Sequence, residues 1–420
     1  MNYKLLFLLL FTLEHIYTLV LNIVQARSAA NPIPANVADV YDGETYTRWR
    51  AYNGEKSKLS ILRTIVSWVL TLALLALNFH AAAASIFPDT VFMQLLGVIL
   101  AQTLVETLVF LGFGWVDTMV IEQKYGFNKT TVKTFVIDQV RNFIIEIILG
   151  VILMGLLAWL HISMGDWVIL LFTGVVFALT LGISFLYGPV FSRLGNKFVP
   201  LEDGELKEKL MALLQKHGYQ VKAIEVMDAS RRTTKLNAYF TGFGKLKSIV
   251  LFDNLVSAMS TDEIVAVFAH ELGHAKHRDT LKLVGLQAII YAAMSLLITF
   301  MLTSETVSLA LGFDTYNAAG AFIALSAVVL GPVMTILMAA INILSRRFER
   351  AADTFAVDNG LGDSLVDALT RLHRDSLADL NPHPFLSAIG DSHPTLGERI
   401  QVVRSAQEKR GERGSKSDAS

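Results

Sequence analysis

Seven stretches of the chain stay apolar long enough to cross a bilayer, which takes about 20 helical residues. They cover residues 4–24, 61–84, 91–115, 142–162, 166–192, 281–304 and 316–345. The first could pass for a cleaved leader. It contains Glu14 and His15, however, and no small-residue cleavage site follows a short apolar core, so it reads as a retained helix. Two longer polar portions break the series. Residues 193–280 have mixed α/β character, with Lys247–Leu255 (KSIVLFDNL) as a short strand after the Gly-punctuated turn TGFGK. Residues 346–420 form the second portion. Its polar, Gly/Ser-rich end, 406–420 (QEKRGERGSKSDAS from 407), reads as a disordered tail.

The basic residues test this count. Arg27, Arg48, Arg50, Lys56 and Lys58 lie in 25–60, and Lys124, Lys129, Lys133 and Arg141 in 116–141. The stretch 193–280 and the tail after Arg346 are also rich in Lys and Arg, whereas 85–90, 163–165 and 305–315 have none. Such alternation fits seven crossings and fails for six or eight. By the positive-inside rule the basic segments are cytoplasmic and the N-terminus faces outward, with Lys4 as the one objection. The Asn128-Lys129-Thr130 sequon then lies on the cytoplasmic side and carries no glycan.

Composition narrows the chemistry. Charged residues make up 17% of the chain and hydrophobic residues 53%, against about 25% charged in a soluble domain. The formal net charge of −1 gives no case for nucleic-acid binding. There is no cysteine, which excludes disulfides, thiolate metal sites, cysteine nucleophiles and palmitoylation. Any metal must be held by histidines and carboxylates. Glu14, His15, His80, Glu106 and Glu146 fall inside apolar stretches and must face a wet cavity or pair within the bundle.

One segment carries a recognisable chemical pattern. In VAVFAHELGHAKHRDT (Val265–Thr280), His270 and His274 stand at i and i+4, on one face of a helix. Ser260 and Glu263 form a capping box that would start this helix. Two imidazoles so placed can bind one Zn²⁺. Glu271, rotated about 100° away, can reach a water in the open coordination position. Zinc lowers the pKa of bound water to about 7 and polarises a carbonyl; Glu271 would take the water's proton and pass it to the leaving amine. H-E-x-x-H fixes only three positions, so it also arises by chance. His277, three residues past His274, reads as a solvent-facing helical histidine as readily as it reads as a metal ligand. The longer H-E-x-x-H-x-x-G-x-x-H pattern is absent, because His277 and Thr280 occupy its last two positions.

A third ligand must therefore come from elsewhere. The motif leads into the stretch 281–304, and 316–345 brings the chain back to the same side. The first residues to emerge are SRRFERAADTFA (Ser345–Ala356), with Glu349 and Asp353 at i and i+4. Glu349 would complete a His₂Glu site, and Asp353 could accept the free N–H of a ligand histidine. The alternative for both is surface pairing with Arg346, Arg347 and Arg350.

At these residues the chain resembles the type I CAAX prenyl proteases, integral-membrane zinc endopeptidases. IEQKYGFNKTT (Ile121–Thr131), NKFVPLEDGELK (Asn196–Lys207), LNAYFTGFGKLKSIVLFDNL (Leu236–Leu255) and SHPTLGERI (Ser392–Ile400) match the family's pattern alongside the two segments above. The resemblance runs in order through nearly the whole chain. It implies a mainly α membrane protein whose seven transmembrane helices enclose a chamber, with a small zincin-like α/β metallopeptidase portion on the cytoplasmic side. It implies one Zn²⁺ on His270, His274 and Glu349, with Glu271 as base. It further implies that Asn237 and its strand line the substrate cleft, that His393 donates to the developing oxyanion, and that Arg399 supports the site through Glu349 or Asp353. Without the resemblance, His393 reads as a turn residue fixed by Pro394.

The expected organisation is membrane helices 1–5 with cytoplasmic loops in 1–192, a metallopeptidase portion in 193–280, helices 6–7 in 281–345, the third-ligand helix and the rest of the catalytic domain in 346–405, and the tail. The expected partners are a peptide or protein substrate, prenylated or not, and the lipid bilayer. The compact chain and a tail without an obvious retrieval signal point to a bacterial inner membrane. Two other classes compete: a catalytically silent relative acting as a membrane scaffold or peptide-binding quality-control protein, and a transporter. The intact His270, Glu271, His274 and Glu349 set opposes the first. A site at one membrane face, without paired broken helices, opposes the second.

Overall fold

A computed structural model describes residues 3–88, 90–164, 168–187, 193, 195–241, 248–302, 304–315, 317, 320 and 330–417. The first half is helical: α1 (Tyr3–Ser28), α2 (Gly43–Ala76), α3 (Phe79–Ser85), α4 (Val91–Trp115), α5 (Val132–Met164) and α6 (Val168–Tyr187). A π-helical turn, Val116–Glu122, extends α4. Among the described residues, Tyr3–Ser28, Gly43–Ala76 and Phe92–Glu122 are long and apolar enough to cross a membrane. Helices α5 and α6 cover most of the fourth and fifth apolar stretches; the end of the fifth lies outside the described residues. Leu5, Leu108, Ile289 and Leu296 are at least 64% exposed. Apolar side chains turned outward in this way suit lipid rather than water. The chain is an integral membrane protein.

The second apolar stretch is not one helix. α2 ends at Ala76, Asn78 adopts the left-handed conformation (φ 53°), and α3 begins at Phe79. The Lys4 ammonium donates to the Ala76 carbonyl at 2.9 Å and to Asn78 Oδ1 at 2.6 Å. Lys4, which counted against the proposed orientation, thus caps the C-terminus of α2, where a cation is favoured. The other ionisable residues of the apolar stretches divide. Glu14 pairs with His15 at 2.7 Å, Glu106 accepts from Gln102 at 2.9 Å, His80 is buried, and Glu146 is exposed.

A four-stranded sheet follows: β1 (Phe198–Pro200), β2 (Ala223–Met227), β3 (Ala238–Thr241) and β4 (Ser248–Phe252), in the order β1-β2-β4-β3. β4 pairs parallel with β2 and antiparallel with β3, which leaves β3 at one edge. The strand expected over Lys247–Leu255 is shorter. From Asp253 the chain turns into α8 (Asp253–Ala258), where the Asp253 carboxylate accepts from the amides of Asn254 and of the distant Ser230. The expected turn TGFGK lies almost wholly outside the described residues. Asn128 is buried and bonded to Gln123, and its backbone bridges to Thr233 just before β3.

The remaining helices are α7 (Glu205–Lys216), α9 (Thr261–His277), α10 (Asp279–Leu302), α11 (Glu305–Ala310), α12 (Leu330–Asp358), α13 (Gly362–Asp375), α14 (Pro384–Gly390) and α15 (Leu396–Ser417). A single apolar core joins Val37, Tyr41 and Trp49 to Tyr125 and Phe127, to Leu251 and Leu272, and to Ala356 and Val403. The loops between the first membrane helices are therefore part of the wall of the α9–α12 unit. Residues 406–417 are helical, not disordered. Their Glu, Lys, Arg and Gln content favours helix, and Gln407 packs on Gly362 while Arg410 donates to the Val357 carbonyl at 2.5 Å.

Candidate metal centre

The motif helix α9 starts where its sequence says it should. Ser260 accepts from the Glu263 amide, and Glu263 accepts from the Ser260 amide at 2.7 Å. Glu263 also accepts from Arg371 at 3.1 Å, tying the helix start to α13. Although buried, its carboxyl is held below the usual carboxylate range by these donors. Near its other end α9 lies tightly on α12. A Cβ built at Gly273 would stand 3.0 Å from Ala352 Cα, and Ala352 and Ala356 are fully buried. Small residues on both helices permit this approach.

The approach brings Glu349 onto the two histidines. His270 Nε2 and His274 Nε2 are 3.2 Å apart; Glu349 Oε2 lies 3.4 Å from the first and Oε1 3.3 Å from the second. The three donor atoms lie within 4.8 Å of one another. Glu349 is 3% exposed, so this carboxylate has little water to solvate it. His393 Nδ1 is 2.8 Å from Oε2 without good alignment, which leaves Oε2 with no hydrogen-bond partner among the described residues.

Each histidine is oriented from behind. His270 Nδ1 lies 2.8 Å from Asp353 Oδ1, and Arg399 grips Asp353 with Nε at 3.0 Å and Nη2 at 2.5 Å. Arg399 Nη2 is also 3.2 Å from His270 Nδ1 and 3.8 Å from Glu349. Asp353 is fully buried and Arg399 nearly so. His274 Nδ1 lies 3.1 Å from Asp279 Oδ2, whose other oxygen accepts from Lys282 at 3.0 Å. With Nδ1–H given to a carboxylate, each ring presents a bare Nε2 to the centre.

The electrostatics favour a cation here. Burial raises the Glu349 carboxyl, but its contacts with His270, His274 and His393 outweigh burial and hold it far below the usual range. Burial lowers His274, but Glu349 and Asp279 outweigh it and raise it to about 9. His270 is raised as well, because Asp353 and Glu349 overcome burial and Arg399. Protons on the rings stand in for positive charge that the carboxylates demand. Two Nε2 atoms facing each other at 3.2 Å, beside a carboxylate oxygen with no hydrogen-bond partner among the described residues, fit one divalent ion better than two protons. The donor set of two imidazoles and one carboxylate suits Zn²⁺.

The remaining expected residues are distributed as follows. Glu271 is half-exposed and makes no hydrogen bond or ion pair with a described residue, though it is near enough to help raise His274. His393 is exposed, at 62% of its side chain, above Glu349. Asn237 is exposed at the start of edge strand β3, and its carbonyl accepts from Phe252 N at 3.1 Å. His277 belongs to neither role offered for it: it is half-buried, edge-on to Phe355, outside the metal group. Arg346, Arg347 and Arg350 make no ion pair with Glu349 or Asp353. Asp279 was not singled out by sequence. Its signal was a carboxylate directly after the motif helix, reached through the left-handed turn at Arg278 (φ 57°).

Such a donor set on a membrane-embedded helical frame defines an integral-membrane metallopeptidase. Residues 22–197 match the family described as CAAX prenyl protease N-terminal, five membrane helices, and residues 200–407 match peptidase family M48. The chain is 31% identical to the CAAX prenyl protease 1 homolog of Oryza sativa subsp. japonica over 95% of this chain and 96% of the relative. It is also 31% identical to CAAX prenyl protease 1 of Saccharomyces cerevisiae over 90% of each chain. The crystal structure of S. mikatae Ste24p superposes with a TM-score of 0.88 at 27% identity, covering 96% of this chain and 99% of that one. The chain belongs to the type I CAAX prenyl protease family. These relatives are eukaryotic, so they give the expected bacterial inner membrane no support.

Proposed function

We propose that the protein is a zinc endopeptidase that cuts CAAX-type peptides near their C-terminus, releasing the last three residues from membrane-associated substrates. The observation that carries this reading is the convergence of His270, His274 and Glu349 within 4.8 Å beside a half-exposed Glu271. The relatives' names supply the substrate class.

His270, His274 and Glu349 would hold the ion. When bound, it lowers the pKa of water to about 7 and polarises the scissile carbonyl. Glu271 takes the proton from the attacking water and returns it to the leaving amine. His393 donates a hydrogen bond to the carbonyl oxygen as that atom gains negative charge. An extended substrate adds to the free edge of β3, with Asn237 fixing its register. Asp353, Arg399 and Asp279 keep the two rings in the tautomer the ion needs. Seven helices, with the site on the cytoplasmic side and the N-terminus outside, complete the arrangement; the loop charges support this orientation. The helices enclose a wet chamber, in which the ionisable residues of the apolar stretches would be hydrated. In a eukaryotic host the membrane is that of the endoplasmic reticulum.

The test is metal content and peptide cleavage by purified protein, with and without chelator, on prenylated and unprenylated CAAX peptides. One zinc per chain is expected, lost in His270→Ala. Glu271→Gln should keep zinc and lose at least about 100-fold in rate, the lower bound for a general base. Full cleavage by Glu271→Gln, or no metal-dependent cleavage of either peptide, would overturn the reading.

A further inference from the structure

We propose that Arg346 and Asn342 of α12 position His393 for catalysis by clamping the C-terminus of α14. The inference rests on the reading of His393 as the oxyanion donor.

Residues 342, 346, 349 and 353 are separated by 4, 3 and 4 positions. At about 100° per residue they form one stripe along α12. Glu349 and Asp353 are the lower half of that stripe, on the metal centre. The upper half faces α14. Asn342 Nδ2 donates to the Ile389 carbonyl at 2.8 Å, and Arg346 donates through Nη1 to Ser387 O at 3.1 Å and through Nη2 to Ala388 O at 2.8 Å. These are three consecutive carbonyls at the end of a seven-residue helix. A helix end leaves its last carbonyls short of backbone donors; Ser387 O already accepts from Asp391 N at 3.2 Å, and the clamp adds side-chain donors to it, to Ala388 O and to Ile389 O. Asn342 is 3% exposed, so its amide has no competing water.

His393 itself is weakly held. Its ring is largely exposed, and its 2.8 Å contact with Glu349 Oε2 is not a well-aligned hydrogen bond. Its position must be set by the backbone. Downstream, Pro394 and a capping box fix the chain: Thr395 N donates to Glu398 at 3.0 Å, and Thr395 Oγ1 accepts from Glu398 N at 3.3 Å. Upstream, only Asp391 and Ser392 separate His393 from α14. The clamp is thus the upstream anchor of a very short connection. Because Arg346 and Glu349 are one turn apart on one rigid helix, the clamp sets His393 in the same frame as the carboxylate below it. A lost clamp would let His393 drift while leaving the metal donors in place.

The experiment is a double-mutant cycle in the full-length protein, read by steady-state kinetics, zinc content and amide exchange. Arg346→Ala should keep one zinc per chain, lower kcat about 10-fold with KM changed less than twofold, and speed exchange over residues 384–393. Arg346→Lys, which restores the cation but not the planar two-pronged fork, should recover part of kcat. In a His393→Ala background, Arg346→Ala should cost less than twofold, because the residue it positions is gone. If Arg346→Ala does not fold, Asn342→Ala, which removes only the donor to Ile389, carries the same cycle. Unchanged kcat, or the same loss with and without His393, would overturn the proposal while leaving the peptidase reading intact. A wild-type protein without metal-dependent cleavage would instead refute that reading.

Discussion

Seven ionisable side chains, His270, Glu271, His274, Asp279, Glu349, Asp353 and Arg399, crowd around one point, and three of them are at most 4% exposed on the side chain while carrying negative charge. Buried carboxylates survive only when paired or when they bind metal. Arg399 answers Asp353, and Lys282 answers Asp279; Glu349 has two imidazoles, which is where a divalent ion belongs. Asp279 offers the cleanest test of this division. Asp279→Asn keeps the shape of the side chain but removes the charge that raises and orients His274. Zinc affinity should fall about 10- to 100-fold, the usual effect of losing a partner behind a ligand histidine. Competition titration against a chromogenic chelator measures this. Unchanged affinity would show that Asp279 serves only Lys282 and the turn.

At the level of elements, the site depends on how closely α9 lies on α12. Gly273 sits between the two motif histidines' turns, and a methyl group there would meet the Ala352 backbone at 3.0 Å. Backbone cannot swing aside as a side chain can. Gly273→Ala should therefore part the helices by a few tenths of an ångström, cost about 1–3 kcal/mol of stability as overpacking does, and weaken zinc binding by widening the Glu349 distances. A variant with wild-type melting and zinc affinity would mean the helices can give. This contact also marks how far the sequence could be read. The motif helix was legible through its capping box and i, i+4 histidines, which are local signals. That Glu349 would return beside them followed from reading two apolar stretches as a hairpin; part of the second, 316–345, lies outside the described residues. The break at Asn78 was not legible, since it depends on Lys4 reaching across from another helix. The helical course of 406–417 was missed because its composition suits a solvated tail as well as an exposed helix, and the decision rests on contacts with Gly362 and Val357. Neither Arg346 nor Asn342 carried a signal, because their partners are backbone carbonyls far along the chain.

At the scale of the whole molecule, the orientation in the bilayer remains the statement with most at stake, because it fixes which face of the membrane presents the substrate. The proposed orientation puts Thr47 and Ser257 on the cytoplasmic side, and Ser85 and Glu305 on the other. All four are exposed, and the chain has no cysteine to remove first. Each can be replaced by a single cysteine without disturbing the metal centre. In sealed vesicles of known sidedness, an impermeant thiol reagent should label Thr47→Cys and Ser257→Cys from the cytoplasmic face only, and Ser85→Cys and Glu305→Cys from the opposite face only. The pairing carries more information than any single site. Thr47 and Ser85 flank the helix pair α2–α3, so labelling of both from one face would mean that the break at Asn78 turns the chain back instead of letting it through. Ser257 and Glu305 flank α10, so labelling of both from one face would remove the first arm of the hairpin that returns Glu349 to its histidines. Opposite-face labelling of both pairs, with the senses reversed, would keep every helix crossing and move the catalytic site to the other compartment, where a cytoplasmic CAAX protein could not reach it.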